Sequence, residues 1–125
     1  MRRHSLNVIK WLFIIGMAVA LPLATICYAK KTPLSPAAKA GKKVFSQDCE
    51  LCHNANSTQN KIGPGLKGIL KNKELPYSHR PATAANVREQ IEKGNPQGKP
   101  MPMPPFGGKL SATQINNLIA YLKTL

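Results

Sequence analysis

The run Asp48-Cys49-Glu50-Leu51-Cys52-His53 constrains this chain more than any other stretch of its length. Two thiols three apart, with a histidine directly after the second, serve few chemistries. Three are open at the outset: a redox dithiol, part of a zinc site, or a covalent anchor for a cofactor. The third cysteine, Cys27, lies in an apolar N-terminal stretch, so only Cys49 and Cys52 belong to the remainder of the chain.

That N-terminal stretch reads as a leader. Arg2, Arg3 and Lys10 supply positive charge, and Trp11 to Ala29 are nineteen uncharged residues. Cys27 and Ala29 place small side chains at the third-last and last positions before Lys30, which predicts a signal peptide over residues 1–29 cleaved after Ala29. Uncleaved, the same segment approaches the ~20 apolar residues that span a bilayer and would serve as an N-terminal anchor. The bulky Ile26 argues against lipidation at Cys27. Either reading exports the remainder of the chain, to the periplasm or an equivalent compartment. Residues 30–35 then form a short linker, and 36–125 a single domain.

About 96 residues remain after the leader. Domains of this size bury a small fraction of their surface and usually need a disulfide, a metal or a large cofactor as a staple. A bridge from Cys49 to Cys52 would close too short a loop to constrain the unfolded chain. A cofactor is the better staple. Removing Arg2, Arg3 and Lys10 leaves fifteen basic against five acidic residues, a net charge of +10. Such a field attracts an acidic protein face or an anionic membrane surface. Nucleic acid is excluded as a partner by export and by the lack of clustered arginines.

The pattern of the domain is all-α. Ser35 and Pro36 suit an N-cap and a first helical position, with a helix predicted over Ala37 to Gln47. Ala40, Val44 and Gln47 fall on one side of it, and Gly41 and Phe45, four apart, on another. A short helical turn is predicted over Leu66 to Leu70, and Lys71 to Ala82 reads as irregular. Thr83 caps a second helix over Ala84 to Lys93, which buries Val87 and Ile91 and stops at Gly94. Five prolines and three glycines between Asn95 and Gly108 forbid a helix or central strand there. Ser111 and Gln114 form a capping box for a last helix, whose Ile115, Leu118, Ile119 and Leu122 recur at helical spacing.

This order of elements bears on the cysteine pair. A thioredoxin-type dithiol sits after a strand at the head of a helix, whereas Cys49 follows a helix. Zinc needs four ligands, and adjacent Cys52 and His53 do not close easily on one ion. Covalent haem attachment fits: the two thiols add across the two haem vinyl groups, and His53 lies beneath the iron as an axial ligand. The opposite axial position has three candidates in Met101, Met103 and His79. The stiff Met101-Pro102-Met103-Pro104-Pro105-Phe106 loop suits presentation of a thioether at low ordering cost.

Four segments, in order, make the chain resemble the class I c-type cytochromes from Pro36 to Leu125. They are Gly41-x-x-x-Phe45, Cys49-Glu50-Leu51-Cys52-His53, Ile62-Gly63-Pro64-Gly65-Leu66, and Met103-Pro104-Pro105-Phe106 leading to Leu118-Ile119-Ala120-Tyr121-Leu122. The resemblance implies a cytochrome c fold, three main helices and long loops wrapped around one covalent haem c. It implies that Gly41 lets the first and last helices cross closely, with Phe45 near Leu118 and Tyr121. Pro64 would accept a hydrogen bond from the His53 ring, and Leu66 would pack on the haem. Met103 is preferred over Met101 as the second iron ligand. Tyr77, His79 and Arg80 are candidates to reach a haem propionate, with His79 otherwise a surface residue.

The function implied is electron transfer, not catalysis. Iron held by His53 and Met103 has no open position for substrate, and a thioether with an imidazole favours the ferrous state. A monomer would exchange one electron with acidic-faced redox proteins, or with a membrane oxidase or reductase, through a haem edge ringed by lysines. The alternative is a cytochrome subunit bound tightly in a larger oxidoreductase complex. A haem enzyme or gas sensor would require that neither methionine bind.

Overall fold

The computed structural model describes residues 33–125, so the leader or anchor over 1–29 lies outside the described residues. Helix α1 spans Pro36–Asp48, starting at Pro36 after the Ser35 cap as expected and ending one residue beyond Gln47. Ser35 starts it, with its hydroxyl accepting from the Ala38 N–H at 3.1 Å. The buried face is Ala38, Gly41, Val44 and Phe45. Gln47, expected beside Ala40 and Val44, is exposed. Stepping three or four residues from Phe45 along that face reaches half-buried Asp48 and Cys49, which turns Gln47 outward.

Helix α2 is Ala84–Lys93 and helix α3 is Ala112–Leu122. Both are capped as their sequences dictate: Thr83 accepts from the Asn86 N–H, and Ser111 and Gln114 make a complete reciprocal box. The short turn predicted over Leu66 to Leu70 lies later, as a 3-10 turn over Ile69–Lys71. Gly68 explains the shift. The Ile69 N–H donates to the Leu66 carbonyl at 3.0 Å, so a turn does begin at Leu66. The left-handed φ of 71° at Gly68 keeps it from running on as one helical turn, and the 3-10 turn starts at buried Ile69.

Helices α1 and α3 form the main helix pair, and α2 meets α3 over fewer residues. Gly41 is the reason the pair can close. A Cβ at that position would overlap the Asn117 carbonyl and lie 2.8 Å from the Leu118 amide nitrogen. Beside the crossing, Phe45 and Tyr121 meet edge to face, 5.6 Å between ring centres. Ile115 and Leu118 are the most completely buried large side chains, so the core lies on α3, with Val87 and Ile91 of α2 and loop residues Ile69 and Leu75 completing it.

Among the described residues there are no strands, only isolated bridges pairing Glu74 with Pro81 and Asn95 with Met103. The first closes the 72–81 loop, which Arg80 fastens to α2 through Asn86 and Glu89. Hydrogen bonds from Arg80 and Lys93 hold the Glu89 carboxyl below its ordinary range. That fastening is present above the ordinary carboxylate range and is lost as pH falls through the depressed value. No helix among the described residues is long and apolar enough to cross a membrane.

Candidate functional site

The Cys49–His53 motif is wound into a tight turn directly off the end of α1. Cys49 caps that helix, its N–H donating to the Phe45 carbonyl at 2.9 Å. The Cys49 carbonyl then accepts from the N–H groups of Cys52 (3.1 Å) and His53 (2.9 Å). Local hydrogen bonding alone therefore sets both cysteines and the histidine along one wall of a cleft. The cleft encloses about 830 Å³, part of it open to solvent, and a neighbouring cavity of about 550 Å³ shares Cys49, His53, Pro64, Pro76, Gln90 and Met103 with it.

His53 is oriented by the next loop. Its Nδ1 lies 2.8 Å from the Pro64 carbonyl oxygen, which can only accept, so Nδ1 carries the proton. In the neutral ring Nε2 is then the nitrogen with a lone pair for a metal, and the carbonyl raises its basicity. Gly63 makes the approach feasible. A Cβ there would overlap the His53 ring edge and sit 2.8 Å from Nδ1. Gly63→Ala is expected to tilt the ring and lengthen the bond to Pro64. Such outer hydrogen bonds typically account for ~10–100-fold in metal affinity. A changed Nδ1–H resonance in the NMR spectrum of the loaded protein, with α-helical content retained, is the measurement that checks it.

The Cys49 thiol is not poised for redox exchange. Burial, aided by Asp48 and Cys52 and opposed by Lys109, pushes Cys49 up to about 12. A thiol protonated throughout the neutral range is a poor nucleophile for disulfide exchange. The pair also follows a helix, with no strand before it among the described residues. Among the described residues, no three His, Cys, Asp or Glu side chains group as a metal site of their own.

The opposite wall comes from the Pro-rich loop after α2. Met103 lines both cavities, is half-buried and packs against the core, whereas Met101 is 60 % exposed and touches the outer cleft alone. The loop is held by the end of α2. Phe106 N–H donates to the Ile91 carbonyl at 2.9 Å and Gly107 N–H to that of Glu92 at 3.1 Å, which satisfies acceptors a helix end leaves open. At Gly94, with φ of 75°, a Cβ would lie 2.9 Å from the Pro104 carbonyl carbon, so loop and helix end touch through backbone. Asn95 exchanges two backbone hydrogen bonds with Met103, at 2.9 and 3.0 Å.

Leu66 lines the inner cavity, and Ile62, Gly63 and Pro64 the outer one. Of the three propionate candidates Tyr77 alone lines the cleft. Arg80 is engaged with Glu89 and Asn86, and His79 is exposed and pairs with Glu74 at 3.5 Å. Lys99 stands at the cleft, while Lys109, near its rim, is paired with Asp48. Sequence reasoning missed Asn95 and Gln90. The signal for Gln90 was a polar residue one position before Ile91 on the inward side of α2; that for Asn95 was an Asn-Pro pair opening a turn. Apolar walls, an imidazole nitrogen, a thioether and paired thiols together suit a large flat group that carries a metal and is fixed covalently.

Comparison with known proteins agrees in extent and kind. The family model described as Cytochrome c matches residues 38–125. A cytochrome c6 of a Synechococcus species is 35 % identical over 105 residues, covering 83 % of this chain and 85 % of the relative. A cytochrome c6 of a Picosynechococcus species is 34 % identical over 113 residues, covering 85 % and 89 %. A cytochrome c of Gibberella zeae is 34 % identical over 96 residues, covering 68 % and 91 %.

Proposed function

Because this chain belongs to the class I c-type cytochromes, as a small electron carrier with one covalently bound haem c, we propose that Cys49 and Cys52 anchor the haem and that His53 and Met103 ligate its iron. The observation that carries this reading is the proton on His53 Nδ1, held by Pro64, which leaves Nε2 as the ligating nitrogen in a cleft shared with Met103. The haem supplies the one-electron ferric/ferrous couple. Everything else is the work of the chain.

Cys49 and Cys52 would hold the group through two thioethers, each S–H contributing its sulfur to one vinyl carbon and its proton to the other, so that no oxidant would be required. The hydrogen bond to Pro64 would hold the His53 ring in one orientation whichever oxidation state the iron took. Met103 is supported by the bridge to Asn95, which keeps reorganisation small. Ile62, Pro64, Leu66 and Phe106 exclude water and lower the dielectric around the couple. Tyr77 is the residue best placed for a propionate.

The domain works after export, in the periplasm or a comparable compartment, where covalent haem attachment takes place. Its partners are acidic-faced redox proteins or a membrane oxidase or reductase. The net charge of +10 after the leader, with Lys99 at the cleft, steers them in a salt-sensitive encounter. Exposed Leu51 and Met101 are the only large apolar side chains so exposed among the described residues, too few for the contiguous patch of a permanently docked subunit.

The test is to produce the full chain with haem maturation and stain for haem after denaturing electrophoresis. The wild type is expected to keep its haem, and the Cys49→Ser, Cys52→Ser double variant to lose it. The ferrous wild type is expected not to bind carbon monoxide. Ready binding would mean an open iron position and would replace the carrier reading with a sensor or catalyst.

A further inference from the structure

The stretch between the apolar N-terminal segment and the cysteine motif is basic without relief. Lys30 to Gln47 hold five lysines and no aspartate or glutamate. Three of these lysines, Lys39, Lys42 and Lys43, are exposed on α1. At about 100° per residue, Lys39 and Lys43 fall on the side of the helix away from Gly41 and Phe45, the face that meets α3, and Lys42 falls on its flank. None of the three has an acidic partner among the described residues. Four of the five acids are engaged elsewhere: Asp48 by Lys109, Glu74 by His79, Glu89 by Arg80 and Lys93, and Glu92 by Arg88.

Helix stability does not account for these positions. Helix α1 has no acid in its first turn, and Lys39 stands near the N-terminus, where the dipole favours negative charge. Lys39 and Lys43 are four apart, a like-charge pair that weakens a helix slightly. On α2, by contrast, Arg88 and Lys93 each pair with a glutamate four residues away. Nothing between Pro36 and Gln47 lines the outer cleft, so this face is separate from the haem edge.

We propose that the outer face of α1 rests on a bilayer surface carrying anionic phospholipid, held by Lys39, Lys42 and Lys43 through charge alone. Each lysine close to such a surface adds to the attraction, which fades within a screening length. A protein partner is the poorer fit, because stable protein interfaces are anchored by buried aromatic or apolar side chains. The exposed large apolar side chains are Leu51 and Met101, and neither is on this face. Seated this way, the carrier is confined to the surface that holds a membrane oxidase or reductase, while the cleft with Lys99 stays open to partners. The inference is independent of which residues ligate the iron.

The test is lysine footprinting of the haem-loaded protein on vesicles of phosphatidylcholine and on vesicles of equal parts phosphatidylcholine and phosphatidylglycerol. At low salt, acylation of Lys39 and Lys43 by an amine-reactive ester, read by mass spectrometry, is expected to slow about 10-fold on the anionic vesicles alone. Lys99 is expected to react as in free solution, and high salt to abolish the protection. The Lys39→Gln, Lys43→Gln double variant is expected to lose protection at Lys42. Lys67→Gln with Lys73→Gln, of equal net charge, is expected to keep it. Protection of Lys99 ahead of Lys39 and Lys43 would assign the attraction to the cleft face, and equal loss in both double variants would assign it to net charge; either overturns the proposal. So does protection by soluble polyglutamate without any by the anionic vesicles, which would give the face to an acidic protein. Equal footprints on the two vesicles overturn it as well, whether or not the leader is retained, because an apolar leader inserts into both.

Discussion

In Met103→Leu, the far-red band of the ferric protein is expected to disappear, the ferrous protein to bind carbon monoxide, and the potential to fall by tenths of a volt. Axial ligand choice sets haem potentials over about 0.8 V, and losing a thioether removes the ligand that favours Fe(II). Met101→Leu is expected to change none of the three, because Met101 is largely exposed while Met103 packs on the core. Leucine nearly matches methionine in volume, so either swap should cost less than about 1.5 kcal/mol in packing. Ligation is thereby read separately from folding. If Met101→Leu loses the band and Met103→Leu keeps it, the ligand register is two residues earlier than proposed. The Asn95 bridge would then hold the loop without touching the iron ligand.

Gly41→Ala is expected to be among the most destabilising single-methyl additions available to this domain. The added Cβ meets backbone, the Asn117 carbonyl and the Leu118 nitrogen, and backbone cannot rotate away as a side-chain tip can. The helices must separate, and with them Phe45 from Tyr121. Overpacking of this kind costs roughly 3 kcal/mol or more. For a domain of about this size, a loss of about 3 kcal/mol corresponds to a melting temperature lower by roughly 12–24 °C. Thermal unfolding of the ferric protein measures it, with Gly108→Ala as the control. Nothing lies within 4 Å of a Cβ at Gly108, so a change within about 0.5 kcal/mol is expected there. Equal melting of both variants would mean that the α1–α3 crossing tolerates spreading and that Gly41 is not what sets it.

Both expectations depend on contacts between residues far apart in the chain, and that is where reading the sequence alone reached its limit. The caps at Ser35, Thr83 and Ser111 were legible because a cap and the N–H it receives are three residues apart. The stop at Gly94 was legible for the same reason. The helical turn expected over Leu66 to Leu70 is confined to Ile69–Lys71 because Gly68 takes a left-handed φ, which glycine permits and a side-chain pattern does not reveal. Which side of the first helix faces inward was open, with Ala40, Val44 and Gln47 on one side and Gly41 and Phe45 on another; the partner helix selects the face of Gly41, Val44 and Phe45 and leaves Gln47 exposed. Gln90 and Asn95 escaped because polar residues facing a cleft look like surface residues until the cleft exists.

The sequence by itself determined the chemistry and the helices. Two thiols and a histidine in five residues admit few cofactors, and caps, spacings and prolines act over a turn or two, where no distant contact competes. Resemblance added the fold and the pairing of Pro64 with His53. Only the tertiary structure decided which methionine packs against the core, why Gly41 has to be glycine, and that Asn95 is enclosed beside Met103. Those are questions of which surfaces meet, and a surface acquires its neighbour only when α1, α2, α3 and the Pro-rich loop close around one cleft.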